Sequence, residues 1–180
     1  MRPLEITLSA LFASLTAAGA YIVVPLWPVP ITLQTFFLYL AIALFGLRIA
    51  LLSQMIYVTM GLAGLPVFAG GKAGASVFLG PTAGYIFGFL LAALVGGLLI
   101  KKVDILPSLL SSTVVIYLSG YLYLVIWLHM VKGEAMLQAV YYAFTIGVLP
   151  FIFGDLLKML LASYIASSSR VKSVVDRLNL

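Results

Sequence analysis

Long apolar stretches, separated by short clusters of turn-forming residues, set the pattern of this chain. Each stretch is long enough to cross the roughly 30 Å hydrocarbon core of a bilayer as a helix of about 20 residues, and the residues do not alternate as in a transmembrane β-barrel. The breaks are proline-rich at 25–30 ("PLWPVP"), tight at 46–48 ("GLR") and glycine-rich at 64–82. The pattern predicts six helices, near residues 5–24, 32–46, 48–64, 83–100, 105–128 and 150–168, and a shorter, partly interfacial helix within 133–147.

Composition places the predicted helices in a membrane. Hydrophobic residues make up 64% of the 180 positions and charged residues only 8%, and the mean hydropathy is +1.22. A soluble domain is about 45–50% apolar and about 25% charged. We therefore predict an all-α integral membrane protein that forms a single domain over 1–180. We expect the apolar N-terminal segment to be the first span rather than a cleaved signal peptide. The absence of cysteine from the sequence excludes disulfides and thiolate metal sites.

The basic residues predict the orientation of the chain. Six spans would place both termini on one side, and two of the ten basic residues, Lys72 and Lys132, fall on the opposite side. Seven fall on the side of the termini: Arg2, Arg48, Lys101, Lys102, Arg170, Lys172 and Arg177. By the positive-inside rule both termini are cytoplasmic. The positive charge is thus explained by topology, and we expect no nucleic-acid partner.

The tenth basic residue, Lys158, lies inside the last predicted span together with Asp155, the one carboxylate within a span. Residues three apart share a helix face, so the two side chains can contact each other or point into one cavity. A charge at the centre of a membrane helix costs about 2.5–3.5 kcal/mol on insertion scales. Two explanations stay open: a structural ion pair, or a site for a polar ligand in the outer half of the membrane. A small acid with an amide or urea head would suit such a site.

Three further stretches point to the same outer face. Thr32 and Gln34 open the second predicted helix, where Thr32 could also be an ordinary N-cap. Lys72 lies in the long glycine-rich segment, which is typical of a binding loop or lid, although the lysine could simply be solvated. Tyr85 follows Gly84 at the outer end of the fourth helix, where glycines usually indicate close helix packing.

The first predicted helix carries two rows of small residues at four-residue spacing. Small residues allow the backbone of another helix to approach closely. The rows are Ser9, Ala13 and Ala17 in one case and Ala10, Ser14 and Ala18 in the other. They could pack within this chain or dock another membrane subunit, with Ala13 and Ala17 as the candidate docking residues.

Four segments, in order, resemble the BioY family, the biotin-specific substrate-binding (S) components of energy-coupling factor (ECF) transporters. They are "VPITLQTFF", "GLAGLPVFAGGKAG", "FLGPTAGYIFGFLLA" and "PFIFGDLLKMLLA". The resemblance covers nearly the whole chain. It implies a six-helix S-component fold in the plasma membrane of a prokaryote, high-affinity biotin capture at the outer face, and docking of the first helix onto a transmembrane scaffold subunit that works with two ATPase subunits.

The resemblance also implies that Asp155 and Lys158 line the polar end of the ligand and that the glycine-rich loop with Lys72 closes over the site. The chemistry of biotin then suggests individual roles. Asp155 would accept hydrogen bonds from the ureido N–H groups of biotin, Lys158 would donate to a ligand oxygen, and Gln34 and Thr32 would complete the polar shell. Lys72 would attract the carboxylate, and no cofactor is expected. Three rivals stay open: an S component for another vitamin, a proton-coupled secondary transporter that uses Asp155, and a membrane enzyme. No nucleophile, metal cluster or second acid accompanies the pair, which disfavours the enzyme.

Overall fold

A computed structural model describes residues 2–178, and these residues are mostly helical. The predicted all-α fold is confirmed, with a two-stranded antiparallel ribbon between the first two helices and a short 3₁₀ helix, Ala75–Leu79, in the glycine-rich segment. The α-helices are α1 (Pro3–Gly19), α2 (Gln34–Leu62), α3 (Ala83–Leu99), α4 (Ile105–Lys132), α5 (Met136–Gly147), α6 (Leu149–Ser167) and α7 (Ser169–Arg177). The ribbon pairs β1 (Val23–Val24) with β2 (Ile31–Thr32).

Helix α2 is a hairpin of two helical arms that meet at Gly46. The backbone there has φ 67° and ψ −154°, a conformation that essentially only glycine adopts. Gln34 and Tyr57 are 23 residues apart, yet their side chains form a hydrogen bond. A straight helix would separate them by about 35 Å. The chain therefore reverses at Gly46, and the predicted turn at 46–48 between two helices is confirmed.

The prediction for the first helix was wrong at its C-terminal end. We expected a helix over 5–24, but α1 ends at Gly19 and residues 20–33 form the ribbon and its loop. Pro25, Pro28 and Pro30 lack the N–H groups that a helix needs, so the chain remains extended around them. The pairing of Val24 with Ile31 closes this segment. The next helix accordingly begins at Gln34 rather than at residue 32.

The other predicted helices agree more closely with the structure. The fourth and sixth lie within a residue of α3 and α6. Helix α4 continues past 128 to Lys132 and is followed by Gly133, which adopts the left-handed conformation. The predicted short helix is α5, which begins at Met136 rather than at 133. Helix α7 was not predicted, because its alternating charged and apolar residues do not resemble a membrane span.

Close helix packing explains the glycine pair before and after Tyr85. A Cβ atom at Gly84 would lie 2.6 Å from the carbonyl oxygen of Ser119, and one at Gly88 would lie 3.1 Å from the Cα atom of Ile116. Both glycines therefore let α3 lie directly against α4, as the packing alternative required. Helix α2 packs against α1 on one side and against α3 and α6 on others, which makes it the centre of the bundle.

The outer surface of the bundle is apolar. Among the described residues, three segments are long and apolar enough to cross a membrane: Gln34–Leu62, Ile105–Lys132 and Met136–Ser167. Helices α1 and α3 are apolar but have only 17 residues each. Exposed apolar side chains follow α4 at four-residue spacing, namely Leu106, Leu110, Val114, Leu118, Leu122 and Ile126. Such a stripe suits contact with lipid rather than with water.

Candidate functional site

One cavity brings together the six residues that the sequence indicated for ligand binding. Its walls include Thr32, Gln34, Lys72, Tyr85, Asp155 and Lys158. These residues come from β2, the start of α2, the glycine-rich segment, α3 and α6. The cavity contains about 680 Å³ of space, including the part that is open to solvent. The role of these six residues as ligand contacts stays a prediction, but the fold does bring them together.

Asp155 and Lys158 form a nearly buried ion pair at one end of this cavity. The Lys158 ammonium lies 2.9 Å from Oδ1 of Asp155, and the two side chains are 12% and 4% exposed, respectively. Both residues lie on α6, where three-residue spacing places them on one face. In a setting with little water, each charge depends on the other and on nearby dipoles for its stability.

Thr35 and Tyr117 complete the surroundings of the carboxylate, and the sequence analysis missed both. The Thr35 hydroxyl donates to Oδ1 of Asp155 at 2.8 Å, and the Tyr117 hydroxyl donates to Oδ2 at the same distance. Thr35 lies one residue after Gln34, at the start of α2, whereas Tyr117 lies in the middle of α4. A threonine inside an apolar helix gives no sequence signal of its own, because its hydroxyl can equally bond to a carbonyl one turn back. Tyr117 is one of ten tyrosines in the sequence, and nothing adjacent distinguishes it.

The ammonium of Lys158 has all three of its N–H donors engaged within the protein. They reach the carbonyl oxygen of Thr32 at 2.7 Å, the hydroxyl of Thr35 at 3.1 Å and the carboxylate of Asp155. The carbonyl of Thr32 lies just outside α2, so it is not engaged in the helix. Lys158 thus ties α6 to the junction of β2 and α2.

Gln34 is held from two sides at the entrance to α2. Its Oε1 accepts from the Thr32 hydroxyl at 2.8 Å, and its amide group donates to the Tyr57 hydroxyl. The Thr32 hydroxyl also accepts from the backbone N–H of Gln34 at 3.3 Å, but the N-cap residue of α2 is Leu33, so the N-cap alternative for Thr32 is wrong. These bonds leave one amide N–H of Gln34 without a protein acceptor among the described residues, and Gln34 is one of the residues that line the cavity.

The remaining walls of the cavity are aromatic or aliphatic. Tyr85 contributes its ring, because its hydroxyl donates to the carbonyl oxygen of Gly147 at 2.7 Å and is not directed to a ligand. The Tyr85 ring lies 6.2 Å from that of Phe151, centroid to centroid. The other apolar lining residues include Val29, Phe68, Val77, Ile86, Phe89 and Ile116. A ligand in this cavity would therefore be bound between a polar end and an apolar wall.

The glycine-rich segment covers the cavity and is attached to the loop after α1. The backbone N–H of Gly70 donates to the carbonyl of Ala20 at 3.2 Å, and the Tyr21 hydroxyl donates to the carbonyl of Pro66. Phe68, 1% exposed, fixes the segment from inside. The exposed side chain of Lys72 lines the cavity and forms no hydrogen bond or ion pair within the described residues.

A second cluster connects the same two loops on the outside. The ammonium of Lys132 lies 5.7 Å from the ring centroid of Trp27 and 5.5 Å from that of Trp127, within the range of cation–π contacts. The indole N–H of Trp127 donates to the carbonyl of Leu79 at 3.0 Å. The end of α4 thus contacts both segments that close the cavity.

The candidate docking residues of α1 are not on its surface. Ala13 is fully buried and Ala17 is 9% exposed, and both belong to the core that α1 forms with α2. They serve packing within the chain, so their assignment as docking residues requires correction. The second row of small residues, Ala10, Ser14 and Ala18, is exposed on an adjacent face of α1, about 100° around the helix. Both rows have the same spacing, and the sequence could not show which of them faces α2.

The chain is similar to known proteins over nearly its whole length. The model of the BioY family matches residues 1–177. The biotin transporter BioY of Thermotoga maritima is 40% identical over 162 residues, which are 88% of this chain and 90% of the relative. The probable biotin transporter BioY of Pyrococcus horikoshii is 43% identical over 92% of this chain and 96% of its own. These relatives are transporters rather than enzymes, in agreement with the predicted class.

A solved structure has the same fold. The crystal structure of the S-component for biotin from an ECF-type ABC transporter superposes with a TM-score of 0.72. The two sequences are 28% identical, and the match covers 92% of each chain. Family model, relatives and solved fold all cover nearly the full length of the molecule. The chain belongs to the BioY family.

Proposed function

We propose that this protein is the substrate-binding subunit of an ECF-type biotin transporter, which captures biotin with high affinity in the cavity. The observation that carries the proposal is the state of Asp155, whose Oδ2 faces the cavity lining with one protein donor, Tyr117. A carboxylate oxygen can accept two hydrogen bonds, so one acceptor position stays available for a ligand N–H. The named relatives and the biotin S-component with the same fold support biotin as that ligand.

The polar end of the cavity suits the ureido ring of biotin. Asp155 accepts from one ureido N–H, and the uncommitted amide N–H of Gln34 donates to the ureido oxygen. Lys158 has a different role from the one that the sequence suggested, because its three donors are already engaged. It acts as a positioning residue that holds Asp155, Thr35 and the Thr32 carbonyl in place.

The apolar and exposed parts of the cavity suit the rest of the ligand. The thioether ring and the valerate chain pack against Phe68, Tyr85 and Phe151, where they lose contact with water. The valerate carboxylate points toward the loop and meets the ammonium of Lys72. Lys72 also attracts the anion before binding, because an exposed cation at the mouth of an apolar cleft steers association.

We further propose six spans with both termini in the cytoplasm of a prokaryotic cell. The spans are α1, the two arms of α2, α3, α4 and α6, and the cavity then opens to the outside. The distribution of the basic residues supports this orientation, since seven of them fall at the opposite end from Lys72 and Lys132. The plasma membrane is the corresponding location.

Uphill uptake requires partners, because no nucleotide-binding motif is present in this sequence. The partners are a transmembrane scaffold subunit and two ATPase subunits, as in the transporter class of the structural relative. We assign the scaffold contact to the exposed row Ala10, Ser14 and Ala18, where a partner helix can approach the α1 backbone closely. Uptake that follows the proton gradient without ATPase subunits would instead favour the secondary-transporter alternative.

Calorimetric titration of the purified chain in detergent tests the proposal. Biotin should bind with one-to-one stoichiometry, and thiamine should not bind. Asp155→Asn should weaken binding by about 10- to 150-fold, the equivalent of a hydrogen bond to a charged group at about 1.5–3 kcal/mol. Glu134→Gln is the matched control, because that carboxylate lies outside the cavity lining.

Each outcome of this titration has a distinct meaning. Equal affinity of the wild type and Asp155→Asn would show that the ion pair is structural. Binding of thiamine but not biotin would move the protein to another vitamin. A folded wild type that binds neither compound would overturn the substrate assignment.

A further inference from the structure

The end of the molecule opposite the cavity contains a polar groove that the biotin site does not use. It lies between the start of α4, the end of α6 and α7, and its lining includes Asp104, Pro107, Ser163, Ser167 and Lys172. Ile100 and Val103, from the turn after α3, form an apolar wall. The groove therefore combines a cation, two hydroxyls and an apolar side within reach of the membrane surface.

The two serines of the groove differ from most other helical serines in this chain. The hydroxyls of Ser9, Ser14 and Ser111 donate to the carbonyl oxygen one turn back. Those of Ser163 and Ser167 form no hydrogen bond within the described residues, although the two lie one turn apart on the same face of α6. Two uncommitted hydroxyls beside a lysine are suited to donate to the oxygens of a phosphate group.

Helix α7 has the character of a helix that lies in the membrane interface. Its apolar residues, Val171, Val174, Val175 and Leu178, recur at helical spacing and share one face. No residue of α7 is buried and Val174 is 58% exposed, whereas Val171 and Val175 are partly buried, so this chain covers that face only in part. A short amphipathic helix with basic residues on its polar face typically lies at the boundary of headgroups and acyl chains.

The charges around the groove favour an anionic lipid. Five basic side chains lie on the turn before α4 and on α7: Lys101, Lys102, Arg170, Lys172 and Arg177. They are accompanied by two acidic ones, Asp104 and Asp176, which leaves a net charge of +3. A cluster of this sign next to a membrane helix attracts acidic phospholipids. The start of α4 in the groove adds unpaired backbone N–H groups, which also favour an anion.

We propose that this groove binds the headgroup of an anionic phospholipid. Lys172 and the hydroxyls of Ser163 and Ser167 contact the phosphate, Asp104 accepts from headgroup hydroxyls, and the valine face of α7 lies against the acyl chains. The lipid thereby fixes α7 at the cytoplasmic surface. This site is independent of biotin, and its test requires no transport activity.

Native mass spectrometry of the full chain, with phosphatidylglycerol or phosphatidylcholine added in detergent, measures the retained lipid. Wild type should retain phosphatidylglycerol in preference to phosphatidylcholine, and Lys172→Gln should reduce retention about fivefold, as expected for the loss of one cation at an anionic surface. Ser163→Ala with Ser167→Ala should also reduce it, whereas Lys172→Arg should restore it. Lys132→Gln, at the other end of the molecule, is the matched control.

Circular dichroism and thermal unfolding of the same variants in detergent show whether each one is folded. Equal retention of the two lipids by the wild type would overturn the proposal, and so would a folded Lys172→Gln variant that retains phosphatidylglycerol like the wild type. Equal competition by soluble glycerol phosphate would mean a free-phosphate site instead of a lipid site. A groove that is occupied only when transporter subunits are present would mean a protein partner.

Discussion

Replacement of Gly61 by alanine should disturb the cavity from a position outside it. Gly61 lies in the second arm of α2, and a Cβ atom there would lie 2.1–2.7 Å from three atoms of the Phe68 ring. Real atoms do not approach so closely, so the ring must move. Phe68 is 1% exposed and packs edge-on against Tyr57 and Phe78, at centroid distances of 5.5 and 5.7 Å. The ring therefore has little room to move without displacing its neighbours.

The displacement should reach the ligand site through Tyr57. Phe68 lines the cavity, and the Tyr57 hydroxyl accepts the hydrogen bond that holds Gln34. Overpacking of a well-filled core costs about 1–3 kcal/mol. For a chain of this size that corresponds to a midpoint of thermal unfolding lower by about 2–12 °C, at about 2–4 °C per kcal/mol. If the Phe68 ring moves to relieve this strain and must return to its place when biotin binds, we expect biotin affinity to fall about 5- to 150-fold, the equivalent of the same 1–3 kcal/mol.

Thermal unfolding and biotin titration in detergent measure both effects. Gly154→Ala is the matched control, because a Cβ at Gly154 meets no atom within 4 Å and alanine favours a helix by about 1 kcal/mol over glycine. This variant should bind biotin like the wild type, although Gly154 directly precedes Asp155. Adding Phe68→Leu to Gly61→Ala should recover part of the lost stability. A Gly61→Ala variant with the unfolding midpoint and the biotin affinity of the wild type would refute the reasoning.

Three further substitutions test other parts of the structure. Lys158→Met should cost about 3–5 kcal/mol of stability in a thermal unfolding assay, because it leaves the carboxylate of Asp155 buried without its cation. Adding Asp155→Asn should recover part of this loss. Gly46→Ala should lower the unfolding midpoint by the equivalent of about 1–3 kcal/mol, because φ 67° and ψ −154° strain any residue with a side chain. An unchanged midpoint would contradict the reversal of the chain at Gly46. Ser14→Leu should leave biotin binding intact and abolish copurification with the scaffold subunit, and retained copurification would move the contact elsewhere.

Much of the framework could be predicted because it depends on local chemistry. The turn at 46–48 was evident from its glycine, and the apolar runs gave α3 and α6 within a residue. Asp155 and Lys158 were evident because a charge in a membrane span requires an explanation. In each case the property of a few adjacent residues was decisive.

The parts that the sequence could not predict depend on tertiary contacts. Thr35 and Tyr117 bond to Asp155 only because the hairpin of α2 and the middle of α4 pack beside α6. Ala13 and Ala10 are equivalent in spacing and size, yet one faces α2 and the other is exposed. The end of α1 depended on the pairing of β1 with β2, which joins residues on the two sides of a proline-rich loop.

The hydrogen-bond pattern of the site has a consequence for both binding and release. Lys158 and the Oδ1 atom of Asp155 are fully engaged within the protein, so the buried end of the cavity contains no uncompensated charge before biotin arrives, and Lys72 is exposed to solvent. The ligand is then recognised by the few groups that stay uncommitted and by exclusion of water from an apolar wall. A site that is organised in advance loses little entropy on binding, which favours slow dissociation. In the proposed transporter, release of biotin would require displacement of the elements that hold the site. Helix α2 carries Gln34 and Thr35 and packs against α1, so a partner that binds α1 as proposed would act on the site through α2.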